Sequence, residues 1–385
     1  MTAASHLIVG GGLAGGLAAL ALADEGRGAS VVVVESGDAL GGGCDHTWSS
    51  HESDLDDHTR GLVMPLVAHR WPGQIVRFPG RERRLSTGYL TITGERFARL
   101  VRERLERAGA RVLFGARAAA VDERRVWLAD GRVIEADIVL DARGFDRTAA
   151  GARGYQKFIG LELALDADGP WQLPVVMDAA VEQSDGFRFV YVLPFSRRRV
   201  LIEDTVYAED GRIDAAAFER RVRDYAAAHG ARIDRVLRRE SGVLPLPLAP
   251  EARVFEARGG PLAIGYRGGF FHGVTGYSLP EAARVARALA RAGTREDAAQ
   301  ALASIARARA GQRRFERLLA RLLFRALPAP TRWTALERFY RLPDQTIARF
   351  YASRSTALDR ARVFVGRPPA GLSWWGLLSA AREAA

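Results

Sequence analysis

The chain opens with a short apolar run, residues 6–9, of the kind that fills a buried strand. Gly10, Gly12 and Gly15 come next, and residues 13–23 repeat their apolar positions at helical spacing. Residues 31–34, VVVV, form a second β-branched strand with Glu35 directly at its end. Residues 138–144, IVLDARG, read as a strand running into a small-residue turn. Residues 262–265, the glycine-rich stretch 268–276 and the apolar spacing of 279–292 read as strand, loop and helix. Between these segments the period falls to two. Phe187, Phe189, Tyr191 and Leu193 share one face of a predicted strand, a turn lies at 196–199, and residues 200–207, VLIEDTVY, form its hairpin partner. Residues 155–165 have the same strand character, and residues 214–229 have the spacing of a covering helix. Pro245 and Pro247 are expected to close the segment.

The glycines give this pattern a chemistry. Gly10, Gly12 and Gly15 spell G-x-G-x-x-G between a strand and a helix, which permits a tight turn, close approach of backbone to a pyrophosphate, and tight helix–strand packing. The helix N-terminus then aims free N–H groups at the phosphates, and Glu35 is placed for ribose hydroxyls. An N-terminal fingerprint, an interrupted β-rich stretch and a late glycine-rich return form the layout of FAD enzymes. Asp141 and Gly144 fall in the turn that would cross under the cofactor, and Gly276 lies in the loop before the last helix of the fold. The expected class is α/β. A Rossmann-type FAD-binding domain is discontinuous over 1–75, 95–153 and 252–300. An antiparallel β-sheet substrate domain is inserted over 76–94 and 154–251, and a basic helical membrane-facing region occupies 301–385.

Composition narrows the reading further. Of 385 residues, 48% are hydrophobic and 26% charged, which excludes a disordered or fibrous chain. Cys44 is the single cysteine, so neither an intramolecular disulfide nor a cysteine-rich zinc module is expected, and no metal site is assigned. The net charge is +11, and residues 301–385 hold all of it, with 16 Arg against Glu316, Glu337, Asp344, Asp359 and Glu383. A localised positive field points to an anionic partner, a membrane surface or nucleic acid; the alternatives are a solvated helical face with no partner and ordinary domain packing. Residues 301–327 alternate Arg with Leu, Ile and Phe, as an amphipathic helix at a membrane interface does, and SWWGLL at 373–378 adds interfacial aromatics. No nucleic-acid motif is present. The longest apolar run, residues 7–23, is too short and too glycine-rich to span a bilayer, so any membrane contact is expected to be peripheral, at the cytoplasmic face of the inner membrane.

Glu203 and Asp204 are neighbours in a predicted strand and must point to opposite faces. One of them would share a face with Leu201 and Tyr207, where an apolar, aromatic setting raises a carboxyl pKa and suits a general acid. The alternative is one acid at a solvated edge and the other paired to an arginine of 197–199.

These segments together resemble the bacterial lycopene β-cyclases. The likeness is carried by GGGLAGGLAAL at 10–20, HTWSSHESD at 46–54, YQKFIGLEL at 155–163, LPFSRRRVLIEDTVY at 193–207, GVLPLPL at 242–248 and GYSLPEAARVA at 276–286, so it covers roughly residues 6–290. The resemblance implies a redox-neutral cyclisation of the linear ends of lycopene, taken from the bilayer, to β-ionone rings. It further implies reduced FAD with NAD(P)H as electron source. The acidic residue of the IEDT strand maps onto Glu203, with Asp204 a second candidate, and Phe189 and Tyr191 on the facing strand would stabilise a carbocation. A redox flavoenzyme on the same scaffold, a monooxygenase or a prenyl or carotenoid reductase, is the alternative, and a flavin or lipid carrier a third. Residues 265–280 lack the Gly-Asp pair usual in flavin hydroxylases and reductases. Gly273 stands where relatives often have Pro, and His272 is expected to be structural.

Overall fold

The computed structural model describes residues 4–43, 45–145, 153–250 and 260–373. In the first of its sheets, β8 (Arg111–Leu113), β2 (Val31–Val34), β1 (Ala4–Val9) and β11 (Val133–Asp141) lie parallel, and β17 (Leu262–Ala263) joins beside the end of β11. β10 (Arg125–Leu128) and β9 (Ala118–Val121) extend it antiparallel. Leu7–Val9 of β1 and Val31–Val34 of β2 read as unbroken apolar runs because both of their faces are covered. On one side Leu17 and Leu20 of α1 (Leu13–Asp24), Leu62 of α2 (Asp57–Val63), Phe97 and Val101 of α3 (Gly94–Arg107) and Val285 of α5 (Leu279–Ala290) make the core. Gly15 is what lets α1 sit so close, since a Cβ there would collide with the Gly10 carbonyl.

The second sheet has the order β16 (Ile233–Pro247), β12 (Arg153–Leu165), β15 (Arg199–Ala208), β14 (Phe187–Ser196), β13 (Val175–Asp178), β5 (Gln74–Phe78), β6 (Arg81–Leu85), antiparallel except for β13 beside β5. Pro247 is the last residue of β16, as expected, whereas Pro245 lies inside the strand; β16 is an edge strand, where a missing N–H costs no ladder bond. The segment 76–94 divides. β5 and β6 join this sheet, whereas β7 (Tyr89–Thr93) pairs with β3 (Thr47–His51) and β4 (His69–Trp71) in a small sheet that periodicity does not announce.

Helix α4 (Ala215–Ala228) covers one face of the second sheet, packing Val222 and Tyr225 against Leu161, Val190 and Ile202. The other face lies under the C-terminal helices. Phe315, Phe324, Phe339 and Phe350 pack there against Phe187, Phe189, Leu201 and Tyr207. The expected single helix over 301–327 is broken at Arg309, into α6 (Arg295–Ala308) and α7 (Ala310–Arg321). Tertiary contacts also turn part of its basic face inward: Arg309 is buried against Glu281, and buried Arg321 donates to the Leu248 carbonyl. Beyond lie α8 (Trp333–Phe339), α9 (Asp344–Tyr351) and α10 (Ala357–Phe364). Trp374 and Trp375 of the SWWGLL motif lie outside the described residues. Among the described residues no helix is long and apolar enough to cross a membrane.

Candidate active site

A cavity of about 700 Å³ runs from the glycine loop of the first sheet to the covered face of the second. At its first end stand Gly10, Gly12, Glu35, Gly144 and Gly276. Gly10 holds φ at +102°, a region glycine enters freely, and a Cβ there would sit 2.7 Å from the Ala142 oxygen. Gly12 faces open space, as the close approach of a pyrophosphate requires. Glu35 accepts from the backbone N–H of Gly11 at 2.7 Å and of Gly37 at 2.8 Å. Its carboxylate thereby braces the loop as well as facing the cavity.

Two of the expected cofactor residues shape this end without lining it. Gly15 packs the helix. Asp141 is buried, and although burial opposes its charge, Arg143 and Arg267 hold the carboxyl below the usual range. It fixes the turn that carries Gly144. His46 just before β3, Trp48 of β3 and Ser278 at the start of α5 line the same space. His272 is structural: Nε2 donates to the Phe350 carbonyl at 3.0 Å and Nδ1 accepts from Val274 N–H, while burial lowers its pKa and keeps the ring neutral.

At the other end the alternation of β15 decides which acid enters. Leu201, Glu203, Thr205 and Tyr207 lie on the cavity face; Asp204 lies on the opposite face. Asp204 is fully buried between Arg188 and Arg221, each with Nε at 2.6 Å from a carboxylate oxygen. The structure therefore does not bring Asp204 to the cavity. Tyr191 of β14 stands directly opposite Glu203, with Phe189 one step along. The Tyr191 hydroxyl meets those of Tyr89 at 2.9 Å and Ser49 at 2.9 Å, and Tyr89 meets Tyr277 at 2.7 Å. Phe158, Tyr207 and Tyr351 complete an aromatic wall.

Sequence reasoning missed the surroundings of Glu203. The cross-strand row continues from Tyr191 through Glu203 and Gly160 of β12 to Glu240 of β16. Glu203 is 9% exposed and Glu240 4%. Arg238 donates to Glu240 at 2.6 Å and to Glu162 at 3.0 Å, and Thr47 of β3 donates to Glu240 at 2.8 Å. Burial, then the charge and hydrogen bonding of Glu240, push the Glu203 carboxyl well above its ordinary range, with Arg238 opposing. The site can thus hold a neutral carboxylic acid against an aromatic wall, with room for an extended apolar molecule. Among the described residues no cluster of metal ligands occurs.

Against known proteins, the chain is 40% identical over 365 residues to the lycopene β-cyclase of Pantoea ananas, covering 94% of each chain. It is 42% identical over 370 residues to that of Paracoccus sp. (strain N81106 / MBIC 01143), again 94% of each. In fold it resembles a geranylgeranyl bacteriochlorophyll reductase-like protein of Thermoplasma acidophilum (TM-score 0.63, 14% identity, 99% of this chain and 96% of that one). A tryptophan 6-halogenase of Streptomyces toxytricini is similar (TM-score 0.61, 16% identity, 99% and 95%). The family model described as lycopene cyclase protein matches residues 6–374, so the likeness extends through the helical region as well as the 6–290 stretch where motifs are recognisable. With its matched residues running through both sheets and the helices above them, the chain belongs to the lycopene cyclase family.

Proposed function

We propose that this protein is a lycopene β-cyclase that closes the linear ends of lycopene into β-ionone rings, a redox-neutral isomerisation. The observation that carries the reading is Glu203, a buried carboxyl kept protonated on the aromatic wall of a cavity that also reaches the dinucleotide loop. Glu203 delivers its proton to the terminal double bond, whose π pair forms the new C–H bond and leaves a tertiary cation. The neighbouring double bond attacks that cation, a six-membered ring closes, and loss of a ring proton restores neutrality. Phe189 and Tyr191 line the cavity beside Glu203, and each desolvated aromatic face can stabilise a cation by up to about 2 kcal/mol. Burial leaves the cation without water to quench it.

FAD is the cofactor this end of the cavity fits. Gly10, Gly12, Glu35, Gly144 and Gly276 would contact it, and Gly15 and Asp141 would hold the loops that do so. Reduced flavin, when bound, supplies negative charge, which favours a cation in a low-dielectric site. NAD(P)H is the proposed electron source. The C-terminal region is the proposed contact with the cytoplasmic membrane face. Leu358, Phe364 and Val365 are 59%, 48% and 74% exposed there. A cleft next to them is lined by Arg314, Arg317, Arg321 and Arg360, and no acid is among its described lining residues.

The test is anaerobic incubation with lycopene in liposomes and reduced FAD. A ring-containing product of unchanged mass is expected. A product of altered mass, or intact lycopene with flavin-loaded protein, overturns the reading.

A further inference from the structure

The Glu203–Glu240 contact is an unusual piece of sheet geometry. Adjacent strands lie about 4.8 Å apart, so side chains two strands apart ordinarily do not meet. Here they do, because the residue between them is Gly160. A Cβ built on Gly160 would fall 2.8 Å from Glu203 Cγ and 2.9 Å from Glu240 Cγ; both side chains fold over the bare Cα. Glu240 does not line the cavity, while Glu203 does. Arg238 is bonded to Glu240 and, at its other edge, to Glu162, so its charge is anchored on the Glu240 side of the row.

We propose that Glu203 and Glu240 are a carboxyl pair sharing one proton across Gly160, in which Glu240, ion-paired to Arg238, is a positioning residue that keeps the proton on the cavity-facing Glu203. Two carboxylates in contact cannot both ionise cheaply, and the partner with the cation is the one that keeps the negative charge. The proton is thereby left on the acid that faces the polyene. The other groups around Glu203 do not compete for that role. Tyr191, opposite on β14, is held neutral by burial, and Asp204 points to the far face between two arginines. When Glu203 gives up its proton, the pair becomes doubly negative beside the new cation, which the added charge stabilises. The proton lost from the ring balances the one taken from Glu203, so the pair begins and ends each turnover with a single proton.

This inference rests on Glu203 being the acid, and its test separates the two claims. The full-length, flavin-loaded protein is assayed from acid to alkaline pH as wild type, E240Q, G160A and E203Q. The infrared band of a buried protonated carboxyl is titrated in each. In E240Q the alkaline limb of turnover and the loss of the infrared band should both move to lower pH by about one unit or more, with low-pH turnover retained. G160A, whose methyl group separates the two acids, should move them in the same direction. If E240Q lowers turnover equally at every pH, or leaves the infrared titration in place, Glu240 is structural and the pairing is wrong. An active E203Q instead overturns Glu203 as the acid, whereas the infrared titration still reports whether the carboxyls share a proton.

Discussion

Glu203 is placed at a cost to the fold, and that cost is measurable. A carboxyl whose pKa is raised in the folded state binds more protons there than in the unfolded chain, so its contribution falls as pH rises above the unfolded value near 4.5. The stability deficit then grows until pH passes the folded pKa. Glutamine keeps the shape and cannot ionise. E203Q is therefore expected to leave the thermal midpoint nearly unchanged at pH 4 and to raise it by roughly a few degrees at pH 8, with turnover lost. A midpoint that falls at pH 8 would show that Glu203 is ionised and stabilising. Its sequence neighbour Asp204 is a strut, with both carboxylate oxygens engaged by guanidinium groups.

At the level of elements, Asp204 ties β15 to α4 through Arg221 and to β14 through Arg188. Removing one partner of a buried ion pair leaves uncompensated charge and costs about 3–5 kcal/mol. D204N should lose stability of that order in urea unfolding, while flavin-loaded folded protein keeps its cyclisation rate within about twofold. A catalytic Asp204 would instead show near-normal stability and no turnover.

The contrast between adjacent acids also shows what could be read from the chain. The glycine loop, the strand at 31–34 and the IEDT hairpin are local patterns, and each lies in the structure where periodicity puts it. Alternation along β15 says that one acid faces the cavity but leaves open which one. Glu240 is not legible, because its role needs β16 to pair with β12 in a register set thirteen residue pairs long, in which Gly160 falls opposite Glu240. Gly160 looks like any strand glycine until both of its neighbours are known. The small sheet of β3, β4 and β7 escapes for the same reason, since its strands are short and pair across intervening segments. Buried Arg309, Arg321 and Arg332 look like surface charge until tertiary partners are in place.

The whole molecule separates its charge from its chemistry. The first 300 residues are electrically balanced and residues 301–385 hold the net +11, while the helices within that region roof the second sheet. In the proposed membrane contact this roof is the face that meets lipid. Replacing Leu358, Phe364 and Val365 together with Ser should weaken binding to anionic vesicles about tenfold or more, and raising salt should weaken it further. Unchanged vesicle binding would move the docking face elsewhere.

The proposed cyclisation by Glu203 turns on a proton that starts on an exchangeable carboxyl and ends in the product. Anaerobic turnover of lycopene in D2O, with the reductant unlabelled, reads this directly by mass spectrometry. The expected product carries one deuterium for each ring closed and no other change in mass. A product without solvent deuterium would contradict proton transfer from Glu203.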